Sequence, residues 1–283
     1  MKGIVLMSEE KVRIIPLGGL GEIGKNITAI ECDNEIVIID CGVAFPDEEI
    51  YGVDLIIPDI TYLKNNVEKI KGIFLTHAHP DHIGGAAAIQ RISGCKIYAS
   101  AEEKRWIEDI ELQFKERPIP NFYTLVKESV KVDTIVEEGN ILLPEEGITM
   151  KVLDTSGHSL GHTSYIFQEE AVIFSGDAIP DVNDFPIFVD EKMSEISLEK
   201  MEELEDIQYC CPAWDRVYKE DEWKNMIKES KKYLQKLKNS VNQIEEEYGL
   251  EPDENKLNRL KKQMGWEKMD VNPLFKRSIE ACK

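Results

Sequence analysis

The chain has 283 residues, 42% of them hydrophobic, which is enough to build a sizeable core in one large domain or one domain with a helical appendage. Lysine and arginine number 34 against 54 aspartate and glutamate residues, and the formal charge of −20 is spread along the chain. Because affinity for a phosphate backbone comes from clustered lysine and arginine, and no long run of them occurs here, this balance argues against strong nucleic-acid binding.

The cysteines and the lengths of the apolar segments predict where in the cell the protein is located. The six cysteines form no CxxC pair and are too sparse for a disulfide framework, so we expect them to be reduced and the protein to be cytoplasmic. The first apolar stretch is only four residues long and is followed at once by Glu9 and Glu10, which argues against a signal peptide. No segment approaches about 18 uninterrupted apolar residues, so we expect no membrane span.

The first half of the chain predicts strands with a few helices. Residues 12–58 have β patterns, with a hairpin turn at Asp33 and Asn34 and then a long loop. IKGIFLTH is typical of a buried strand, and GGAAAIQRI after it predicts a helix packed closely on that strand. KIYAS returns to strand, and residues 101–118 predict one amphipathic helix.

The second half predicts strands and then helices. NILLP, ITMKVLDT, TSYIF and EAVIFSG are short strand patterns, whereas helix dominates from Ser197 onward. Over residues 221–248 apolar or small residues recur in alternating steps of four and three, a heptad seam that ends near Gly249 and Pro252. A second short helix follows, marked by Leu257, Leu260 and Met264. We expect layered sheets with helices outside, and the seam to pack on its own domain or, as the narrowly preferred version, on a second copy.

All five histidines lie in two short clusters, THAHPDH at 76–82 and SGHSLGH at 156–162. Imidazole binds divalent metals at neutral pH, so this confinement predicts one shared site. His77 and His79 follow a strand and can aim at one ion, while Asp81 and His82 point differently and can serve a second. The alternative, in which Asp81 caps a helix among surface histidines, leaves three histidines within six residues unexplained.

Two later residues extend this site. His158 lies in a glycine-flanked loop after a strand and would be a third imidazole, which leaves the open position expected of a catalytic zinc. Asp177 ends the strand EAVIFSG and either caps a turn or bridges two cations, since a shared anion offsets their repulsion. His162 either acts directly or orders the loop through a hydrogen bond.

A glycine motif near the N-terminus gives a misleading signal. Gly19, Gly21 and Gly24 form a GxGxxG pattern, but the following NITAIECDNEIVIID predicts a hairpin, so no helix N-terminus is available for a pyrophosphate. We expect this loop to bring backbone close to the metal edge, with Asn26 as a candidate polar contact.

The order THAHPDH, SGHSLGHTSYIF and FSGDAI, within roughly residues 12–215, resembles the metallo-β-lactamase superfamily. The resemblance implies an α+β fold, a four-layer αββα sandwich with the metals at one edge. It also implies two metal positions that share a carboxylate, the first held by His77, His79 and His158, the second by Asp81 and His82, with Asp177 between them. Asp40 resembles the early aspartate that supports the metal loop in this family.

Residues 13–85 resemble ribonuclease J more closely, through PLGGLGEIGKN, IIDCGVAFPDEEIYGVDLIIPDITYL and GIFLTHAHPDHIGG. Those nucleases carry a large inserted nucleotide-binding domain, whereas only 106 residues follow Asp177 here. The second half resembles compact stand-alone hydrolases with a GHSLGHT-type loop. We therefore expect residues 1–219 to form the catalytic domain and residues 220–283 a helical C-terminal extension, packed on it or at a dimer interface.

One departure from the family concerns the second metal. Two-metal members carry another late histidine, and the matching stretch here is IQYCCPAWDR, with Cys210 and Cys211 as buried strand residues. Trp214 cannot ligate because its indole nitrogen is only a donor. We predict that Asp215 supplies a carboxylate, directly or through water, and so favours manganese or iron over zinc. The alternative is that Asp215 pairs with Arg216 or Lys219 on the surface and that the second site is weak or empty.

These features predict a metal-dependent hydrolase with one or two divalent ions, zinc in the first place and otherwise iron or manganese. We expect it to cleave a small-molecule ester, thioester, lactone or amide through a metal-bound hydroxide that Asp81 orients. One alternative is a phosphodiesterase or nuclease of ribonuclease J-like chemistry. Others are a mononuclear-iron oxidoreductase acting on a persulfide-type thiol and a degenerate domain whose acidic helical tail binds a partner.

Overall fold

The structure is a computed structural model that describes residues 12–44, 52–142, 149–250, 253–269 and 274–283. The predicted helix stop at Pro252 and the N-terminal Glu9 and Glu10 lie outside these ranges. The strands are β1 (Arg13–Gly18), β2 (Ile27–Cys32), β3 (Glu35–Ile39), β4 (Ile70–Phe74), β5 (Lys96–Ala99), β6 (Thr134–Ile135), β7 (Ile141–Leu142), β8 (Met150–Asp154), β9 (Thr163–Phe167), β10 (Val172–Gly176), β11 (Tyr209–Pro212) and β12 (Tyr218–Lys219). The helices are α1 (Thr61–Lys64), α2 (Pro80–Ile83), α3 (Ala86–Ser93), α4 (Ala101–Glu108), α5 (Ile110–Glu116), α6 (Phe122–Leu125), α7 (Glu191–Glu202), α8 (Glu220–Tyr248), α9 (Asp253–Met264) and α10 (Phe275–Ala281).

The strands form two six-stranded sheets. The first has the order β1-β2-β3-β4-β5-β6 and the second β12-β11-β10-β9-β8-β7. Strands β3 to β6 run parallel, whereas β1 and β2 continue that sheet antiparallel. The predicted hairpin is confirmed, since β2 and β3 pair across the turn at Asp33, whose φ of 50° suits a short polar side chain.

Three hydrophobic clusters separate four layers. One joins the inner faces of the two sheets and contains Ile30, Phe74 and Tyr165. A second lies between the first sheet and the helices α2 to α6, and a third between the second sheet and the helices α7 to α10. The order is therefore helix, sheet, sheet, helix, and the predicted αββα sandwich is confirmed. Within the described ranges no helix is long and apolar enough to cross a membrane.

The single amphipathic helix predicted over residues 101–118 is wrong. The structure has two helices, α4 and α5, separated at Asp109. Asp109 leaves the helical conformation with φ of −139°, and its side chain accepts a hydrogen bond from the Leu112 N–H. The aspartate thus caps a new helix, and local capping interrupts an otherwise continuous helical pattern.

The heptad seam lies in α8 and is covered within the chain. Trp223, Ile227 and Leu237 are fully buried, in one cluster with Ile173 of the second sheet and Phe275 of α10. Of the two expected versions, the seam packs on its own domain, and the narrowly preferred packing of the seam on a second copy is wrong, because the chain's own core occupies its apolar face. Helix α8 is part of the outer helical layer on the second sheet.

Candidate metal centre

Strand direction brings the candidate residues to one edge of the sandwich. Strands β3 and β4 are parallel, so Asp40 and the segment that begins at Thr76 follow their strands at the same edge of the first sheet. Strands β8 and β10 both run antiparallel to β9, so the loops with His158 and Asp177 lie together at one edge of the second. The Thr163 N–H donates to the Thr76 carbonyl at 2.9 Å, which joins the two sheets beside the site.

The first predicted ligand group converges. His79 Nδ1 lies 2.9 Å from His77 Nε2 and 2.9 Å from His158 Nε2. Neighbouring ligand atoms of a tetrahedral zinc ion, with bonds of about 2.0 Å, are about 3.3 Å apart. The three nitrogen atoms thus lie close to the spacing that a single ion requires.

The second group contains the aspartate that we expected to bridge. Asp177 Oδ2 is 3.4 Å from His82 Nε2, 3.4 Å from His158 Nε2 and 3.8 Å from His77 Nε2. Asp81 Oδ2 is 3.7 Å from His82 Nε2. One carboxylate oxygen therefore faces ligand atoms of both groups, as a bridging ligand must.

Three of the imidazoles are oriented by the nitrogen that faces away from the site. His82 Nδ1 donates to Asp40 Oδ2 at 2.8 Å, and His158 Nδ1 donates to the Ile187 carbonyl at 2.7 Å. Thr76 Oγ1 donates to Asp40, so it accepts from His77 Nδ1 at 3.0 Å. Because these protons point outward, the inward nitrogen atoms keep free lone pairs, and the residues fit divalent metal.

The electrostatics of the site agree with ligation. Burial lowers the pKa of His77 and His79 well below the usual 6.5 and also lowers the pKa of His158, so these rings stay neutral. Burial alone would raise the pKa of Asp177, but the neighbouring His82 charge holds it well below its ordinary value. In the metal-free site, three neutral imidazoles, His77, His79 and His158, and a charged His82 therefore surround an anionic carboxylate.

A sequence model of the metallo-beta-lactamase superfamily matches residues 20–206 of the chain. The chain belongs to the metallo-β-lactamase superfamily. With the histidine and aspartate groups described above, which fit divalent metal, it is a metal-dependent hydrolase of this superfamily.

Individual relatives of this superfamily protein differ in how much they share with it. Ribonuclease J 2 from Staphylococcus aureus (strain MRSA252) is 36% identical over 177 residues, which is 62% of this chain and 29% of that protein. The likeness is therefore longer than residues 13–85, yet the chain spans less than a third of the relative's length. Solved metallo-β-lactamase proteins from Thermus thermophilus (TM-score 0.61, 18% identity, 81% of each chain) and Sulfolobus tokodaii (TM-score 0.59, 19% identity, 96% of each chain) share the fold.

Glu103 joins the two histidine loops of this superfamily member. Its buried carboxylate accepts hydrogen bonds from the Ala78 N–H at 2.8 Å and the Gly161 N–H at 2.9 Å. Ala78 lies between His77 and His79, so one side chain fixes both ligand loops. Sequence reasoning missed it, because a glutamate three residues after Ser100 is typical of a helix N-terminus.

His162 orders the loop, as one of the two alternatives stated. Its Nδ1 donates to Thr155 Oγ1 at 2.8 Å, and its Nε2 accepts the Asp177 N–H at 3.1 Å. A side chain at Gly176 would collide with this ring. Both nitrogen atoms are thus engaged, and His162 holds the backbone of Asp177.

Asp215 lies in the cavity beside the site. The Tyr218 hydroxyl donates to its carboxylate, whereas Arg216 pairs with Glu222 at 2.8 Å, so among the described ion pairs the alternative pairing of Asp215 with Arg216 is not formed. Among the described residues the convergent ligand groups do not include Asp215. Its ligation stays a prediction.

Proposed function

We propose that the chain hydrolyses a small-molecule ester, thioester, lactone or amide. The observation that carries this proposal is the charge of a cavity of about 830 Å³ that borders Asp81, His158 and Asp177. Of the described residues that line it, eight are carboxylates: Glu22, Asp81, Asp177, Asp181, Asp184, Asp215, Glu222 and Glu229.

The cationic side of the cavity is weak. Arg216 is its one lysine or arginine among the described residues, and its guanidinium is bonded to both oxygens of Glu222, at 2.8 and 3.2 Å. Asp81 and Asp177 would be neutralised by the proposed ions, but six further carboxylates of the described residues border the cavity. A phosphate chain would have to pass them and compete with Glu222 for this arginine. A neutral or cationic small molecule meets neither obstacle.

We propose that His77, His79 and His158 hold the first ion, that Asp81 and His82 hold the second, and that Asp177 bridges them. A bound divalent ion lowers the pKa of water and polarises the bond under attack. Three imidazoles favour zinc at the first position, whereas Asp215, if it ligates, favours manganese or iron at the second.

The chain's own residues then position the reactants. The half-exposed carboxylate of Asp81 lies at the start of α2, where it can accept a hydrogen bond from the attacking water and orient it. Glu103 and Asp40 keep the ligand loops fixed, so the site is organised before substrate enters. The accessible apolar side chains of Ile23 and Trp214, which also line the cavity, suit the uncharged part of a substrate.

A second candidate is a phosphodiesterase or nuclease, favoured by the 36% identity to ribonuclease J 2. The residues shared with that relative supply metal chemistry that would also cleave a phosphodiester. The acidic cavity is the feature that opposes this candidate.

The test compares turnover on thioester and lactone panels with turnover on bis-p-nitrophenyl phosphate and RNA, using the metal-loaded protein. We expect hydrolysis of at least one carbonyl substrate and loss of that activity in His79→Ala with the fold retained. Phosphodiester or RNA cleavage as the dominant activity would transfer the assignment to the second candidate. Activity that survives in His79→Ala at normal metal content would refute the site assignment.

A further inference from the structure

The second ion position of the two-ion site proposed above, on which this inference rests, has fewer protein ligands than a metal ion needs. Asp81, His82 and Asp177 offer three groups, whereas zinc, iron or manganese takes four or more ligands. The sequence has no histidine after His162, and the Asp215 carboxylate already accepts a hydrogen bond from Tyr218. A further donor close to His82 would complete the position.

Asn26 lies directly beside the inward nitrogen of His82. Its Nδ2 is 3.0 Å from His82 Nε2, and the residue is only 5% exposed. Its backbone is fixed on both sides, since its N–H donates to the Asp81 carbonyl at 3.1 Å and its carbonyl accepts from the Gly42 N–H at 2.8 Å. Its Oδ1 is buried and, among the described residues, has no hydrogen-bond partner.

The two ends of a carboxamide have nearly the same shape and exchange by a half-turn about χ2. The NH2 group of Asn26 can donate to His82 Nε2 while that nitrogen has a free lone pair. When His82 Nε2 binds a cation, the NH2 hydrogens no longer suit this place, because their partial positive charge is repelled by the ion. After the half-turn, Oδ1 occupies the place 3.0 Å from His82 Nε2. Neighbouring ligand atoms with bonds of about 2.1 Å lie about 3.0–3.4 Å apart, so a ligand can occupy this place.

We infer that Asn26 gives its side-chain oxygen to the ion held by Asp81, His82 and Asp177. The neutral oxygen takes the role of the missing imidazole without adding a negative charge to a site that already has two carboxylates. As a harder donor than imidazole, it shifts the preference of this position from zinc toward manganese or iron. This role also explains the glycine at position 19 of the GxGxxG loop, since a side chain there would collide with the Asn26 amide.

The test counts ions in Asn26→Leu, Asn26→Asp and Asp215→Asn beside the unmodified protein. Each is loaded with zinc or manganese, dialysed, and analysed by elemental mass spectrometry, and the affinity of the second ion is measured by chelator competition. We expect the unmodified protein to hold two ions, and Asn26→Leu to keep the first while its affinity for the second falls about tenfold or more. Asn26→Asp should restore the second ion, because it restores an oxygen.

Retention of the first ion in Asn26→Leu shows that this variant folds. The inference is overturned if the unmodified protein holds one ion, if Asn26→Leu binds two with unchanged affinity, or if only Asp215→Asn loses the second. Ion counting needs no turnover. A chain that hydrolyses none of the carbonyl substrates would therefore refute the proposed substrate class and leave the ligand assignment standing.

Discussion

Replacing Asp40 by asparagine should weaken the site without direct loss of a ligand. The carboxylate accepts hydrogen bonds from the Thr76 N–H at 2.7 Å, the Thr76 hydroxyl at 2.8 Å and His82 Nδ1 at 2.8 Å. Asparagine has one oxygen, so its NH2 must face either the Thr76 N–H or the pair formed by the Thr76 hydroxyl and His82 Nδ1. Against His82 it forces the ring proton onto Nε2, the nitrogen that faces the second ion.

The magnitude follows from these contacts. We expect the affinity for the ion at His82 to fall about 10- to 100-fold, or about 1.4–2.7 kcal/mol. Backbone strain should add little, because Asp40 has φ of 57° and asparagine tolerates this left-handed conformation. The fold should lose about 1.5–3 kcal/mol of stability with one charge-assisted hydrogen bond.

The assay is competition with a chromophoric chelator, beside urea unfolding of each protein. Asp133→Asn is a matched control, because Asp133 also accepts a backbone N–H of the first sheet, from Ile97 at 3.0 Å, away from the site. Equal ion affinities in Asp40→Asn and Asp133→Asn would refute the argument that Asp40 selects the His82 tautomer.

Three further predictions address the loops, the titration of the site and the outer helix. Glu103→Ala should cost about 2–6 kcal/mol and weaken metal binding, because two buried N–H groups lose their acceptor; unchanged urea midpoints would contradict this. Affinity for the second ion should rise with pH, because burial lowers the pKa of His82 but Asp40 and other carboxylates outweigh it and hold that pKa well above 6.5. In the metal-free protein the stability that His82 contributes is present below about pH 6.5 and lost as pH rises through its folded pKa; chelator titrations and melts at stepped pH test both signs. Leu237→Glu should cost about 4 kcal/mol or more, whereas Lys236→Glu on the exposed face should change stability by about 0.5 kcal/mol or less.

The sequence predicts the ligand residues better than it predicts their supports. His77, His79 and His158 are recognisable as candidate metal ligands because histidine clusters at strand ends are rare and imidazole binds divalent metals. Glu103 has no such signal, since its role depends on a helix placing it between two loops that lie far apart in sequence. The packing of α8 could not be predicted either, because a heptad pattern shows that a helix has an apolar face but not which surface covers that face.

The proposed ligands come from two sheets, with His77 and His79 following strands of one and His158 and Asp177 following strands of the other. An ion bound to both sets would link the two sheets at that edge, and it would bind only when the sheets are docked. By mass action, free metal at a thousandfold its dissociation constant would add about 4 kcal/mol to the folding free energy. The lifetime of the protein in a metal-starved cell should then depend on the supply of the ion as much as its catalysis does.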